Sequence, residues 1–304
     1  MEYILKTNLL TKQFKKQKAV DSISIQIERG AIYGLIGRNG AGKTTFLRMI
    51  SGLAKPTSGE MELMGLSSAD GKINTAFERV GCLIEQPGIY KNMNAFENLK
   101  LKAMCCGVYS KDYINQKLAL VGLDYVGKKA VGNFSLGMKQ RLGIAMAMIG
   151  EPDLLVLDEP INGLDPQGII EVRDIIHKIN HEQNVTIVIS SHILEELSKI
   201  ATHYGIINNG KLLEQLSRDE LMDKCAERLE IVTDSPEQAC VVLDEIGGIS
   251  YKVVDKQTVY VLNRIEDSAL INANLSKAGI PVQSIGRKNE SLEDYFIDLI
   301  SKAN

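Results

Sequence analysis

The chain has 304 residues, 44% of them apolar and 24% charged, with a net charge of −3 and a pI near 5.9. That length accommodates two domains, or one large domain with an appendage, and the slightly acidic balance gives no electrostatic basis for binding nucleic acid. No apolar run approaches the roughly 18–20 residues that span a bilayer. The opening Met1–Thr7 lacks the basic region and long apolar core of a signal peptide. A cytoplasmic chain is expected, with any membrane role passing through a partner. The five cysteines, Cys82, Cys105, Cys106, Cys225 and Cys240, are an odd number without metal-ligand spacing. They read as reduced thiols, with Cys105 and Cys106 packing a helix.

In chain order, Tyr3–Thr7 and Ser22–Ile27 alternate apolar and polar residues as half-buried strands do. Glu28–Gly30 then turns the chain into the apolar strand Ala31–Ile36. Directly after it comes Gly37-Arg38-Asn39-Gly40-Ala41-Gly42-Lys43-Thr44-Thr45, followed by a helical pattern from Thr45 to Ile50. Strand, glycine-rich turn, Gly-Lys-Thr and helix together form a phosphate-binding loop in its required context. The glycines let consecutive N–H groups converge on one anion, and the helix adds the positive end of its dipole. Lys43 is placed to reach the β- and γ-phosphates, and the Thr44 hydroxyl to hold Mg²⁺. The chain is expected to bind a nucleoside triphosphate.

A short strand, Val80–Ile84, precedes a helical stretch from about Ala95 to Ile149. Within it, Asn133–Arg141 opens an apolar helix, and Ser135 suits an N-cap with N–H groups behind it facing outward for an anion. The apolar strand Leu154–Leu157 ends in Asp158 and Glu159. Asp158 suits Mg²⁺ or its waters, and Glu159 suits polarisation of an attacking water. A helix around Ile169–Ile179 and a buried strand Thr186–Ser190 follow. Apolar strands separated by helices predict an α/β fold with a mostly parallel sheet covered on both faces.

The character changes after about Leu216. A strand is predicted over Arg228–Asp234, a helix over Pro236–Ile246 and a hairpin of Tyr251–Asp255 with Thr258–Asn263. A helix over Glu266–Ala278, a strand over Val282–Ile285 and a helix over Leu292–Ile300 complete the chain. The order βαββαβ plus a helix suggests a small ferredoxin-like α+β appendage. The division expected is residues 1–217, with a helical insert at about 88–150, and 218–304.

With these motifs in this order, residues 3–216 resemble the nucleotide-binding subunits of ATP-binding cassette (ABC) transporters. Walker A matches Gly37–Thr45, the signature loop Phe134–Met138, Walker B Leu154–Asp158, and the catalytic carboxylate Glu159. The D-loop matches Asn162–Asp165 and the switch histidine His192, to which the resemblance gives a γ-phosphate contact. Phe14 falls where an aromatic stacks on adenine in that family, although a lone aromatic also suits a core position. The resemblance implies a P-loop cassette with an antiparallel N-terminal β subdomain and a helical subdomain, using ATP and Mg²⁺. It also implies a head-to-tail dimer, either a homodimer or a heterodimer with a related ATPase. In that dimer each ATP lies between one subunit's Gly37–Thr45 loop and the other's Ser135–Gly137. A separately encoded permease would hold the dimer at the inner face of the membrane.

Two departures from the family pattern stand out. Leu136 replaces a signature glycine, while Ser135 and Gly137 are kept. The Q-loop glutamine position aligns with Glu85, and Gln86 follows one step later, so either residue can fill the Mg²⁺-facing role. A carboxylate brings charge and no donor where a carboxamide brings both kinds of hydrogen bond. Glu85 together with Ser-Leu-Gly-Met-Lys-Gln-Arg over 135–141 is similar to the ATPases of bacitracin-type and lantibiotic self-protection exporters. Related drug- or ion-efflux ATPases, and more remotely non-transport ABC ATPases, are the alternatives. Gly88–Glu97 follows the Q-loop where the family docks its permease.

Overall fold

In the computed structural model, which describes residues 2–288 and 291–302, the strand Ile32–Ile36 is buried at all five positions. It runs parallel to Thr186–Ser191 on one side and to His203–Asn208 on the other. Beyond Thr186–Ser191 the parallel sheet continues with Leu154–Asp158 and then Val80–Leu83, while Lys211–Ser217 closes the opposite edge antiparallel. Both faces of Leu154–Asp158 and Thr186–Ser191 are buried, as continuous apolar runs require. This register sets Asp158 beside Ser190, and Ile36 beside Ser191. The chain therefore leaves several neighbouring strands at their carboxyl ends, the position where open α/β sheets bind ligands.

A second, antiparallel sheet packs its apolar face into the same core. Ile4, Leu5, Ile25 and Ile27 cluster with Leu35, Phe46, Val156 and Val188. Its long strand, Tyr3–Phe14, runs well past the predicted Thr7. The alternation breaks at Leu9, which takes φ 49° and is exposed, before burial resumes at Leu10 and Thr11. The single strand expected over Ser22–Ile27 is two, Gln17–Ile23 and Gln26–Glu28, which pair with different stretches of Tyr3–Phe14. A left-handed Ser22, φ 57°, redirects the chain there.

The helical stretch comprises Ala95–Cys105, Lys111–Leu120 and Leu136–Ala147. Asn94 and Glu97 form a reciprocal capping box on the first helix, and Ser110 caps the second. Cys105 and Cys106 do not pack a helix, contrary to the sequence expectation: both are exposed. The buried stripe of that helix passes through Ala95, Asn98, Leu99 and Ala103, and the two cysteines fall off it.

The described chain divides into two compact units, one running to Arg218 and the other Asp219–Lys302. In the second, strands Arg228–Thr233, Tyr251–Val253, Thr258–Val261 and Val282–Lys288 form one antiparallel sheet. Taken in chain order as first to fourth, they lie in the order second, third, first, fourth. This is the ferredoxin-like arrangement. Leu229, Ile231, Val259 and Val261 on one sheet face pack against Ala239 and Leu243 of helix Pro236–Ile246, and Ile271 and Leu275 of helix Ser268–Lys277. Among the described residues no helix is long and apolar enough to cross a membrane.

Candidate active site

The Gly37–Gly42 loop is shaped by close approaches that exclude side chains. A Cβ on Gly37 would lie 2.5 Å from the Ile207 carbonyl oxygen, and one on Gly42, at φ 106°, 2.3 Å from that of Ala19. With no Cβ in the way, the loop curls onto the N-terminus of helix Lys43–Ile50 and leaves a cradle suited to phosphate. Lys43 is buried beneath it. Its ammonium donates to the Gly37 carbonyl at 2.6 Å and to that of Arg38 at 3.3 Å. It also lies 3.0 Å from Glu159 Oε1. Arg38, Asn39 and Gly40 form the exposed rim, Ala41 anchors the loop in the core, and Thr45 joins Thr44 in lining the cleft.

The carboxylates sit at the end of Leu154–Asp158. Asp158 is buried, and both its oxygens are held: Thr44 Oγ1 donates to Oδ2 at 2.7 Å, and Ser190 Oγ donates to Oδ1 at 2.6 Å. The same Ser190 hydroxyl accepts the Glu159 N–H at 2.9 Å. Ser190 thus fixes both acidic residues at once. Glu159 occupies left-handed backbone, φ 49°, a conformation that costs a non-glycine residue about 1–2 kcal/mol and collects at functional sites. That turn points its carboxylate at Lys43 through Oε1 and at His192 Nδ1 through Oε2, 2.8 Å away. Since a carboxylate only accepts, the proton of this contact resides on Nδ1, and Nε2 of a neutral ring is an acceptor. The group therefore combines a phosphate cradle, a buried cation and hard oxygen donors of the kind that suit Mg²⁺. Its second carboxylate is placed to orient a water.

The cleft around these residues has a volume of about 400 Å³. Besides the loop and Glu159 it is lined by Gln17, Lys18, Ala19, Asn209 and Gly210, none of which stood out in the sequence. Gly210 donates its N–H to the Ala41 carbonyl at 2.9 Å and accepts the Asp21 N–H at 2.7 Å. A strand edge and a tight turn thus clasp the loop from outside. The basic tract Lys15-Lys16-Gln17-Lys18 was the available signal for a wall facing an anion.

Other sequence candidates stand apart from this cluster. Phe14 is 54% exposed and does not line the cleft; the Lys12 ammonium lies 5.2 Å from its ring centroid. Glu85, at φ 63°, pairs with Arg48 on the helix behind the loop, and its side chain is 64% exposed. Ser135 caps helix Leu136–Ala147 by accepting the Met138 N–H at 3.2 Å, and Asp165 caps helix Pro166–Gln183 by accepting the Gly168 N–H at 3.3 Å. These two caps belong to one patch. A Cβ on Gly137 would lie 3.9 Å from Gly168 and Leu164, and one on Gly163 3.5 Å from Leu136. Neither Ser135, Gly137 nor Asp165 lines the Lys43 cleft.

The ABC transporter family model matches residues 20–162. Along almost its whole length the chain is similar to the bacitracin transport ATP-binding protein BcrA of Bacillus licheniformis, 44% identical over 301 residues, 99% of this chain and 98% of that protein. The chain belongs to the ATP-binding subunits of ABC transporters. It is an ABC-type ATPase that binds nucleotide and energises transport. The lantibiotic transport ATP-binding protein SrtF of Streptococcus pyogenes is 42% identical over 216 residues, 71% of this chain and 92% of that protein. Among solved structures, cbiO1 from Clostridium perfringens, part of an ABC transporter complex, superposes with a TM-score of 0.65 at 26% identity, covering 73% of this chain and 91% of that one. The cassette fold thus accounts for the first unit.

Proposed function

We propose that this ATPase works as a head-to-tail pair on a separately encoded permease at the cytoplasmic face of the membrane, and expels a peptide antibiotic of the bacitracin or lantibiotic type. The observation that carries the pairing is the separation within one chain of the two halves of a nucleotide site. Lys43, Thr44 and Glu159 line one cleft, with Asp158 bonded to Thr44 and His192 to Glu159 behind them, while Ser135–Gly137 at the start of its helix lines no part of it. A second copy, or a related ATPase, brings that terminus to the phosphates, where its N–H groups and dipole suit the anion. Thr44 and Asp158 would hold a Mg²⁺ ion, which would supply charge neutralisation at the phosphates. Glu159 orients the attacking water, and His192 steadies Glu159 and offers Nε2 toward the γ-phosphate. Glu85 would add a ligand to that ion only after giving up its pair with Arg48. Asp165 and Phe14 serve across the paired interface and beside the adenine, respectively.

The permease docks at Gly88–Glu97. There Tyr90 is exposed, while its backbone is gripped by the buried Asn98 amide, which accepts the Tyr90 N–H at 2.8 Å and donates to its carbonyl at 3.2 Å. The peptide cargo follows from the full-length similarity to a bacitracin transport protein and the cassette-length similarity to a lantibiotic one. The test is growth inhibition by a panel of peptide antibiotics, comparing the native host with a strain carrying Glu159→Gln at the chromosomal locus. Selective sensitisation to one peptide is expected. Unchanged sensitivity across the panel overturns the peptide reading and leaves the ATPase in place.

A further inference from the structure

Arg141 is a buried cation outside the nucleotide cleft, and it ties together three helices of the first unit. Its Nη1 donates to the carbonyls of Val121 and Gly122, at 3.1 and 3.0 Å, just past the end of helix Lys111–Leu120. Its Nη2 lies 3.4 Å from Glu171 Oε2 on helix Pro166–Gln183. Only 9% of the residue is exposed, and its Nε has no hydrogen-bond partner among the described residues. The pair is only half buried, with the Glu171 side chain 38% exposed, so its Coulombic attraction adds little to stability. What it provides is direction: a planar guanidinium reaches several oxygens at fixed angles, which an ammonium does not.

The positions of the two charged residues are informative. Arg141 stands six residues beyond Ser135, the cap of its helix, and Glu171 stands six residues beyond Asp165, the cap of its own. Six residues of helix are about 9 Å, so the pair joins the two helices at the same distance behind both caps. In front of it the capped ends lie close together: a Cβ on Gly163 would reach within 3.5 Å of Leu136, and one on Gly137 within 3.9 Å of Leu164 and Gly168. We infer that Arg141 is a positioning residue that sets the register of Ser135–Gly137 against Gly163–Asp165, so that both loops reach the nucleotide held by a second copy together. This rests on the head-to-tail reading above. Arg141 acts on assembly of the paired site and not on ATP binding by the chain's own loop.

The test uses the full chain in the Glu159→Gln background, where slow hydrolysis preserves the ATP-bound pair. Dimer formation with Mg-ATP is measured by sedimentation. Binding of a fluorescent ATP analogue is measured separately at protein concentrations too low for pairing. Arg141→Met, which keeps the side chain's reach without its charge, is expected to raise the dimer dissociation constant at least about tenfold, roughly the loss of one charged hydrogen bond. Analogue binding should stay within about twofold, and Arg141→Lys should recover the dimer only in part. In the otherwise native chain, Arg141→Met should lower kcat with little change in KM. Unchanged dimerisation overturns the inference, as does an equal loss of dimerisation and single-chain binding, which marks a general structural role. Should Arg141→Met fail to fold, Glu171→Gln answers the same question: a smaller weakening of the dimer supports the inference and none overturns it. If Glu159→Gln alone does not pair with Mg-ATP, the head-to-tail reading itself falls, and the role assigned to Arg141 falls with it.

Discussion

Replacing Ser190 with alanine removes one hydroxyl that serves two buried groups. It donates to Asp158 Oδ1 at 2.6 Å and accepts the Glu159 N–H at 2.9 Å, and Ser190 itself has no exposed surface. A hydrogen bond to a charged group contributes about 1.5–3 kcal/mol, and a buried donor left without an acceptor costs about 1–3 kcal/mol. The two losses overlap in one small space, so the expected destabilisation of the cassette unit is about 3 kcal/mol. Thr44 still holds Asp158 Oδ2 at 2.7 Å, so the carboxylate stays but turns more freely about that contact. With each 1.4 kcal/mol worth a factor of ten, the Mg²⁺ concentration for half-maximal ATPase activity should rise about tenfold. Urea unfolding and a Mg²⁺ titration of ATP turnover measure the two effects separately. Ser191→Ala is the control, because that hydroxyl accepts the Ile193 N–H at 2.9 Å and is hydrogen-bonded to neither carboxylate. Its effect should stay below about 1 kcal/mol, with no change in Mg²⁺ use. The reasoning is refuted if Ser190→Ala unfolds within about 0.5 kcal/mol of the native chain with its Mg²⁺ dependence unchanged, or if Ser191→Ala behaves the same way.

The Tyr33 hydroxyl is buried without a hydrogen-bond partner among the described residues, and burial pushes its pKa far above the usual phenol value. Tyr33→Phe should therefore stabilise the chain by about 1 kcal/mol in thermal or urea unfolding; a loss of stability would show that the hydroxyl is satisfied. Conversely Gly205→Ala, whose Cβ would lie 2.3 Å from that hydroxyl, should destabilise, and Tyr33→Phe should relieve part of the cost. Thiol labelling at mildly alkaline pH should divide the cysteines. Cys105 and Cys106 are exposed and react quickly, whereas burial raises the Cys82 pKa, depletes its thiolate and slows it. Mass-spectrometric mapping that finds Cys82 labelled as fast as Cys105 would contradict the packing of its strand.

What could be read from the sequence was whatever is local. The phosphate loop declares itself because its glycines follow a strand buried at every residue and precede a helix. Asp158 and Glu159 stand out as charges ending a run that is otherwise apolar. The appendage was legible because strand and helix periods alternate cleanly there, and the sheet order follows from that sequence of elements. What escaped depends on which strands become neighbours. Ser190 is an ordinary hydroxyl until the parallel register sets it opposite Asp158. The pairing of Glu85 with Arg48 joins residues on separate elements, and no local pattern signals it. Phe14 took its adenine role from its place in the family pattern, whereas Gln17, Lys18 and Ala19 carry no motif and reach the cleft only once the hairpin has formed. Cys105 and Cys106 end a helix whose apolar stripe is only a few residues wide, so their apolar character was a weak guide to burial.

The central claim is that Glu159, held between Lys43 and His192, drives ATP hydrolysis in a site whose binding groups are separate from it. The most direct measurement is steady-state ATP turnover of the full chain and its Glu159→Gln variant, with ATP affinity measured in parallel. Because Glu159 Oε1 lies 3.0 Å from the Lys43 ammonium, removing its charge frees Lys43 for phosphate, so the variant should bind ATP at least as tightly as the native chain. Its turnover should fall by about 100-fold or more, the usual contribution of a positioned general base. Near-native turnover in Glu159→Gln, or turnover lost only because ATP no longer binds, would contradict the account.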